Sequence, residues 1–537
     1  MLLYVWLVLL TTAVGILSPF IIGTFLDSLI DGGDLSVILR FCAIFGSINL
    51  IKICSGYITA VMYTKLYLNM GYRFNIDVIH HVHDTSLSYS SKHDSAYLSQ
   101  RVGQDTNELI VFCISVMQSA LTNIIMLVVP VIIIITMNWF VALLLVCFLV
   151  VYAALYFMFK KPLYYASLAN REALNTFFAR LYEQLKYVTL IKINSIQKEI
   201  GMRSETGFSA YKNTAIHNQK LNYLYSGLDG IVSTIAQIVL FVAGGLQVLA
   251  GNFTIGMFTI FASYFGMILG STRYFFGMGA FYQRTMTAYD RVVEILNQKR
   301  ESCGVTTIND IHKINLRNVI FSYQTLEDEK KVLKDFTAEF VKGKTYCVAG
   351  PNGSGKSTLI KLIIGLYVDE YSGSITFDGV DIRDLNLKDI RKRLIGFSEQ
   401  EPMLINGSIG YNLTYNNNCQ DSVAVFLKKY ENILNMENFL INQKHDAIDE
   451  NNINTSGGEK QKLSILKVLY KNPAVLIFDE PTSALDAETA KKFIQHLNKI
   501  KKDKIIILIT HDEKLKQLCD VVYDVADAKI IKVTLQN

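Results

Sequence analysis

The sequence predicts two unequal parts, an all-α membrane domain of six helices with long helical extensions beyond the bilayer and then an α/β domain. Three observations predict this. Charged residues make up only 18% of the 537 while hydrophobic residues reach 51%, against roughly 25% charged in an ordinary soluble domain. The first half carries long charge-free runs whose lengths suit one or two crossings of a bilayer. From about residue 299 the chain reads as soluble, with a strand, a glycine-rich loop and a helix in succession. A chain this long also exceeds what one core supports.

This composition excludes disorder and a purely cytosolic enzyme. With 52 Lys and Arg against 47 Asp and Glu, the net charge of +5 is too small a bias to argue for nucleic acid. The eight cysteines are scattered without a C-x-x-C pair, and read as reduced core or membrane residues.

Leu2 to Leu26 contains no charged residue, enough for one span, and it is too long and too poorly framed for a signal peptide. Leu109 to Phe159 is charge-free over 51 residues, roughly 76 Å as one helix. It must fold back, and Thr136-Met137-Asn138 marks the hairpin. Gly230 to Thr272 repeats the case over 43 residues, with Gly251-Asn252 at the turn. Leu35 to Leu68 supplies another span, in which Arg40, Lys52 and, near its end, Lys65 are the charged residues. The six spans are expected at about 2–30, 36–68, 109–135, 139–159, 230–250 and 255–283, within a membrane domain of 1–298.

The connections alternate in character. Those at 32–36, 136–138 and 251–254 are short and lack Lys and Arg, whereas 69–108 and 160–229 are long and carry both. The positive-inside tendency then puts the long loops and both termini in the cytoplasm. Glu172, Leu174, Phe177, Phe178, Leu181, Leu185 and Val188 approximate a helical stripe, so the membrane helices are expected to continue below the bilayer. A polar linker follows at 299–312, and the second domain is placed at 313–537.

The second domain carries the chemistry. The strand-like Thr345 to Ala349 leads into Gly350-Pro351-Asn352-Gly353-Ser354-Gly355-Lys356-Ser357-Thr358 and then the helix-like Leu359 to Leu366. This is G-x-x-x-x-G-K-[ST] in a strand, loop and helix context. Backbone N–H groups of such a loop converge on phosphate oxygens, Lys356 reaches the β/γ-phosphates and Ser357 offers a hydroxyl to Mg²⁺. Downstream, the buried-strand run Ala474 to Phe478 ends in Asp479-Glu480. Alone, such a pair is usually a solvated strand end. After a P-loop the expected roles are Asp479 on Mg²⁺, directly or through water, and Glu480 polarising the attacking water.

With these motifs the sequence resembles the ATP-binding cassette transporters, specifically exporter-type half-transporters with one membrane domain and one cassette per chain. Tyr323 in Phe321-Ser322-Tyr323 matches the aromatic that stacks on adenine, and Gln400 the glutamine that touches Mg²⁺ and water. Thr455 to Lys462 matches the signature, Ser483 to Asp486 the D-loop, and His511 the switch histidine. The resemblance implies ATP and Mg²⁺ as cofactors. Glu480, His511 and Lys356 are expected to be catalytic. The ATP-binding set is Tyr323, Gly350, Asn352, Gly353, Ser354, Gly355, Lys356, Ser357, Thr358, Gln400, Ser456, Gly457, Gly458 and Asp486, and the metal set is Ser357, Gln400 and Asp479. Ser456 to Gly458 precede a helix, so their amides form a second anion site, which in the family faces the partner cassette.

Departures from the family pattern are visible. Thr455 replaces the usual leucine, Glu459 and Lys462 stand where Gln and Arg are common, and in Asp446 to Asn454 only Glu450 matches the expected loop. The chain opens on the first span, so either the start lies upstream or this is a short member, and peptide cargo is expected to arrive already processed. Ser88 to Leu98 and Leu185 to Asn194 resemble the short coupling helices, expected to lodge on cassettes beside Gln400. The resemblance implies a homodimer, or a pairing with a second half-transporter, in the plasma (inner) membrane with the cassette cytoplasmic. The implied activity is ATP-driven export of an amphipathic substrate, with a bacteriocin-like peptide favoured. Multidrug or lipid export, import on the same fold and an ATP-gated channel are the alternatives. Lys52, Arg273, Asn49, Asn123, Gln237 and Gln247 are candidate polar residues of the spans, as cavity lining or helix-packing contacts.

Overall fold

The computed structural model describes residues 2–92, 95–324, 329–415, 420–436, 456–526 and 529–535. The chain divides into two compact units, residues 1–80 with 95–297 and residues 81–94 with 298–537.

In the first unit, six helices among the described residues are long and apolar enough to cross a membrane. They are α1 (Leu2–Ile30), α2 (Leu35–Asp84, whose last turn enters the second unit), α5 (Thr106–Met137), α6 (Trp139–Lys186), α8 (Gln197–Leu249) and α9 (Ile255–Leu296). Three short helices intervene: α3 (Leu87–Lys92), α4 (Ser95–Gln100) and α7 (Val188–Asn194). A wide π-type turn at Arg101–Asp105 carries α4 into α5. With 53 residues, α8 runs to roughly 80 Å, far beyond the ~30 Å hydrocarbon core. It therefore runs well past the charge-free stretch that begins at Gly230. Asn138 alone separates α5 from α6.

Within this unit α6 lies along α8, and α1 and α5 lie along α9. The apolar core gathers Ile134, Leu145, Leu240, Phe261, Phe265 and Ile268, and the Tyr264 hydroxyl donates to Ile16 O at 2.9 Å. Where α1 nears its end and α9 begins, the backbones of the two helices touch, since a Cβ on Gly256 would lie 2.0 Å from Gly23 O. Asp27 caps α9 there, accepting from Thr254 Oγ1 at 2.6 Å and Gly256 N at 2.7 Å. Deeper along the helices, Arg273 of α9 pairs with Asp229 of α8 at 3.0 Å.

The second unit is α/β. Among its described residues, an antiparallel sheet runs β2 (Glu329–Val341), β1 (Lys313–Gln324), β4 (Tyr371–Phe377), β5 (Val380–Asp381). A larger sheet has the order β10-β9-β3-β8-β7-β6, from Lys529–Leu535, Val521–Ala526, Thr345–Ala349, Ile505–Ile509, Val475–Asp479 and Ile395–Ser398. It is parallel except for β10. β3, β7 and β8 are buried throughout, which explains their near-continuous apolar sequences.

Alternation along these strands builds two cores. Tyr346, Val348, Val475, Ile477, Ile505 and Ile507 face one layer, shared with the antiparallel sheet and α10 (Lys356–Ile363). Cys347, Leu476, Phe478, Ile506 and Leu508 face the other. The remaining α-helices among the described residues are α11 (Leu387–Arg393), α12 (Ile409–Thr414), α13 (Gln420–Leu434), α14 (Gly457–Lys471), α15 (Ala487–Ile500) and α16 (Glu513–Lys516).

Cys347 and Cys519 are buried free thiols, and Cys42, Cys54, Cys113, Cys147 and Cys303 are exposed and unpaired with one another. Thr455 and the stretch 446–454 lie outside the described residues.

Candidate nucleotide site

The P-loop, Asp479-Glu480, His511 and Gln400 sit at the carboxyl edge of the parallel strands, where open α/β sheets place their ligands. β3 leads into the loop 350–355, β7 ends in Asp479, β8 runs into Thr510-His511, and Gln400 follows β6 by two residues.

The loop owes its shape to glycine. Gly350 has φ +152° and Gly355 φ +98°. A Cβ on Gly350 would fall 2.1 Å from Val525 O, and one on Gly355 2.7 Å from Val332 O. No other residue fits both the backbone angle and the space. Gly355 ends the loop as the cap of α10 without a side-chain cap bond, so the helix opens with N–H groups available to an anion. Asn352 and Gly353 lie at the exposed crest, and Ser354 is buried.

Lys356 is buried, its Nζ donating to Gly350 O at 2.7 Å and Pro351 O at 2.9 Å. Burial lowers the ammonium pKa, against the opposing pull of Asp479 and Glu480. Ser357 Oγ donates to Asp479 Oδ2 at 3.4 Å. Burial, then the neighbouring Glu480 charge, raises the Asp479 pKa. Thr358 is buried and shares a 3.1 Å hydrogen bond with the Tyr323 hydroxyl, which ties β1 to α10.

Glu480 is the meeting point of two other motifs. Gln400 Nε2 donates to Glu480 Oε2 at 2.9 Å, and His511 Nε2 lies 3.6 Å from Glu480 Oε1. Glu480 itself is left-handed at φ +46°, an uncommon conformation for a residue with a side chain. Four bonds hold its backbone: Glu480 N donates to Ile509 O at 2.9 Å, and its carbonyl accepts from Gln461 Nε2 at 2.7 Å, Ser483 Oγ at 3.0 Å and Ser483 N at 3.2 Å.

Gln461 is the residue that sequence reasoning missed. Buried on α14, it also accepts from Ala484 N at 3.2 Å and Ser483 Oγ at 3.4 Å through Oε1. One amide thereby joins the signature helix, the strand-end carboxylate and the 483–486 loop. Gly458 adds to this join, since a Cβ there would sit 2.8 Å from Ala484 O.

Ser456 and Gly457 stand exposed at the amino end of α14. Ser456 caps the helix in a box with Glu459: Ser456 N donates to Glu459 Oε2 at 2.7 Å, and Ser456 Oγ donates to the same oxygen at 2.8 Å. Among the described residues no hydrogen bond joins Ser456–Gly458 to the 350–358 loop. Asp486 lies apart from the Glu480 cluster as the cap of α15, its carboxylate accepting from Thr489 N at 2.9 Å and Thr489 Oγ1 at 2.6 Å. Those bonds lower its pKa.

The donor set fits Mg²⁺. Ser357 hydroxyl, Asp479 carboxylate and Gln400 amide are hard oxygen donors on one sheet edge, and among the described residues no cluster of three His, Cys, Asp or Glu exists. Such sparse protein ligation suits a cation completed by phosphate oxygens and water.

The first short helix, α3, belongs to the second unit. Leu87 packs against the apolar core of the second unit and Ser88 Oγ donates to Glu370, while Gln400 is engaged with Glu480.

Six spanning helices and a P-loop domain on one chain define a membrane transporter driven by a nucleotide. The ABC transporter transmembrane region matches residues 1–272 and the ABC transporter domain residues 333–483. The microcin-J25 export ATP-binding/permease protein McjD of Escherichia coli is 26% identical over 512 residues, covering 93% of this chain and 84% of that protein. ABC transporter B family member 1 of Dictyostelium discoideum is 34% identical over 54% of this chain. The ATP-dependent lipid A-core flippase of Pasteurella multocida is 32% identical over 53%. The chain spans 32% of the Dictyostelium protein and 50% of the flippase. A bacterial Atm1-family ABC exporter with ATP bound shares the fold, with a TM-score of 0.86 at 18% identity over 99% of this chain and 94% of that one. The chain belongs to the ABC transporter family, as a multi-pass membrane protein with an ATP-hydrolysing cassette on the same polypeptide.

Proposed function

We propose that two copies of this chain form an exporter that expels an amphipathic substrate, a peptide in the first instance, by ATP-driven alternation of the side to which its cavity opens. The observation that carries the hydrolytic part is the cluster of Glu480, Gln400 and His511 beside the P-loop.

In this reading Tyr323 stacks on adenine, the N–H groups of 350–358 and the Lys356 ammonium take the phosphates, and Ser357, Asp479 and Gln400 hold Mg²⁺. Bound there, Mg²⁺ supplies charge neutralisation along the phosphates. Glu480 orients and deprotonates the attacking water, Gln400 fixes one carboxylate oxygen, and His511 faces the other. The strained backbone at Glu480 keeps that carboxylate directed at the edge of the sheet.

The dimer is supported by the position of Ser456 to Gly458. Their helix start is exposed and unconnected to the P-loop of its own chain, so a second copy is the economical source of a nucleotide for it. Peptide cargo is supported by the microcin exporter, whose alignment runs across both the membrane region and the cassette. The flippase, aligned over about half of this chain, favours lipid as the second reading. Arg273 is paired with Asp229, so a neutral rather than a bare cationic patch is offered there, which suits an amphipathic cargo. The plasma (inner) membrane, with the cassettes cytoplasmic, is the compartment that fits this orientation.

The test is ATP hydrolysis by the purified protein in vesicles, with uptake of labelled microcin-like peptide and of a fluorescent lipid A analogue measured in parallel. Glu480→Gln is expected to cut turnover at least ~100-fold with ATP still bound, and Lys356→Ala to abolish ATP binding. Unchanged phosphate release in Glu480→Gln would remove the proposed base.

A further inference from the structure

The polar stretch after α9 has the composition of a tether, yet it is pinned along its length within the unit formed by residues 81–94 and 298–537. Arg300 pairs with Thr85 in an antiparallel bridge, and Glu301 N donates to Asp84 O at 2.7 Å. Farther on, Thr306 pairs with Leu385 in a parallel bridge, with Thr306 N on Asp384 O at 3.1 Å and Asn386 N on Thr306 O at 2.8 Å. Between the two bridges, a Cβ on Gly304 would lie 2.0 Å from the Asp384 carbonyl carbon. The two backbones touch there, and only glycine permits it.

Side chains close the same junction. Arg391 meets Glu301 as an ion pair, Nη2 donating to Oε2 at 2.8 Å and Nη1 lying 2.7 Å from Oε1, with the side chains only 20% and 13% exposed. Lys388 Nζ donates to Asp84 Oδ1 at 2.5 Å, and that bond holds the Asp84 pKa low. Lys388 and Arg391 lie three residues apart on α11, on one face of the helix. Asp84 is the last residue of α2, and Glu301 follows α9 by five residues. One short cassette helix therefore holds the last residue of one spanning helix and the segment that leaves another.

We propose that α11 and the 300–306 stretch form a clamp in cis, through which cassette movement reaches α2 and α9 together, with Asp84, Glu301, Lys388 and Arg391 as its positioning residues. The physical argument is slack. A free tether lengthens by up to ~3.3 Å per residue before it transmits a pull, so five free residues would absorb a movement of more than ~10 Å. Two backbone bridges and a hydrogen-bonded ion pair remove that slack. A charge-assisted Arg–carboxylate hydrogen bond is roughly twice as strong as a neutral one. The clamp rests on the transporter reading above.

The test uses the full-length protein, freed of native cysteines and carrying Asn252→Cys as a spin-label site at the α8–α9 turn, reconstituted in nanodiscs. The label-to-label distance between two copies is measured before and after ATP with vanadate, beside ATP turnover. The parent is expected to show a shift in distance. Glu301→Arg and Gly304→Val are expected to keep turnover within about threefold of the parent while losing at least half of that shift. The exchange Glu301→Arg with Arg391→Glu is expected to restore it. A parental shift in both single variants overturns the clamp. So does a fall of turnover and shift by the same factor, which marks a merely structural role, and so does an exchange no better than Glu301→Arg alone. A parent without ATP turnover overturns the transporter reading and the clamp with it.

Discussion

Glu459→Gln is expected to tighten the ATP-dependent pairing of two cassettes. The Glu459 carboxylate sits at the exposed amino end of α14, accepting from Ser456 N at 2.7 Å and from Ser456 Oγ at 2.8 Å. That is the position a γ-phosphate from a partner chain would occupy or adjoin, because it is where free N–H groups and the positive helix end converge. The Ser456 hydroxyl is thus already donating to a fixed negative charge. Glutamine serves as well as glutamate in a capping box, so the substitution leaves the helix start intact and removes only the charge.

The magnitude follows from Coulomb's law. Two unit charges about 4 Å apart repel by ~1 kcal/mol in water and ~4 kcal/mol at an effective dielectric of about 20. An interface part-way between those limits gains ~1–3 kcal/mol per site on losing the carboxylate, which is about a 5- to 150-fold drop in the ATP concentration needed for closure. The assay is ATP-dependent dimerisation in a Glu480→Gln background, with and without Glu459→Gln, at low salt and at about 0.5 M salt. The difference made by Glu459→Gln should shrink at high salt, where the Debye length is only a few ångströms. Equal half-saturating ATP with and without the substitution, or weaker pairing in its presence, would refute the competition and make Glu459 a helper of closure.

Three further outcomes are expected. Gln461→Ala strips the Glu480 carbonyl and the 483–486 loop of their shared partner, so turnover should fall ~10-fold or more with ATP affinity nearly unchanged, and the protein should lose ~1–3 kcal/mol of stability in denaturant melts. Gly355→Ala places a Cβ 2.7 Å from Val332 O at φ +98°, which should cost at least ~1–3 kcal/mol and abolish ATP binding by titration calorimetry. Asp479 has its pKa raised by burial and Glu480, so its contribution to stability is full below the ordinary carboxylate range and lost as pH rises through the raised value. Nucleotide-free Asp479→Asn should accordingly melt ~2–4 °C above the parent at about pH 7.5, with the gap narrowing toward about pH 4, although Mg²⁺-ATP turnover is lost.

How much of this was legible in the sequence depends on the range of the forces involved. Exclusion of charge from hydrocarbon acts on every residue of a span, so charge-free runs located six crossings and their tight turns at Asn138 and Gly251. The same signal could not fix helix ends, because beyond the lipid polar residues continue a helix as readily as they end one; α8 begins at Gln197, well ahead of the run starting at Gly230. The P-loop was legible because its glycines answer a local steric demand that spacing alone records. Gln461 left no such trace. Its amide acts on Glu480, Ser483 and Ala484 through contacts made by folding, and one glutamine among the polar residues of a helix start carries no periodicity. Glu459 carried a readable signal, serine followed three residues later by glutamate, yet it registers first as a departure from the family pattern and only in the structure as the partner of Ser456. The 300–306 stretch misleads for a related reason. Polar composition describes what a backbone tolerates at its surface, while the bridges to Thr85 and Leu385 are main-chain pairings indifferent to side-chain type. Gly304 alone betrays them, and a single glycine in a polar stretch reads equally as a flexible joint or, as here, as the point where two backbones are pressed together.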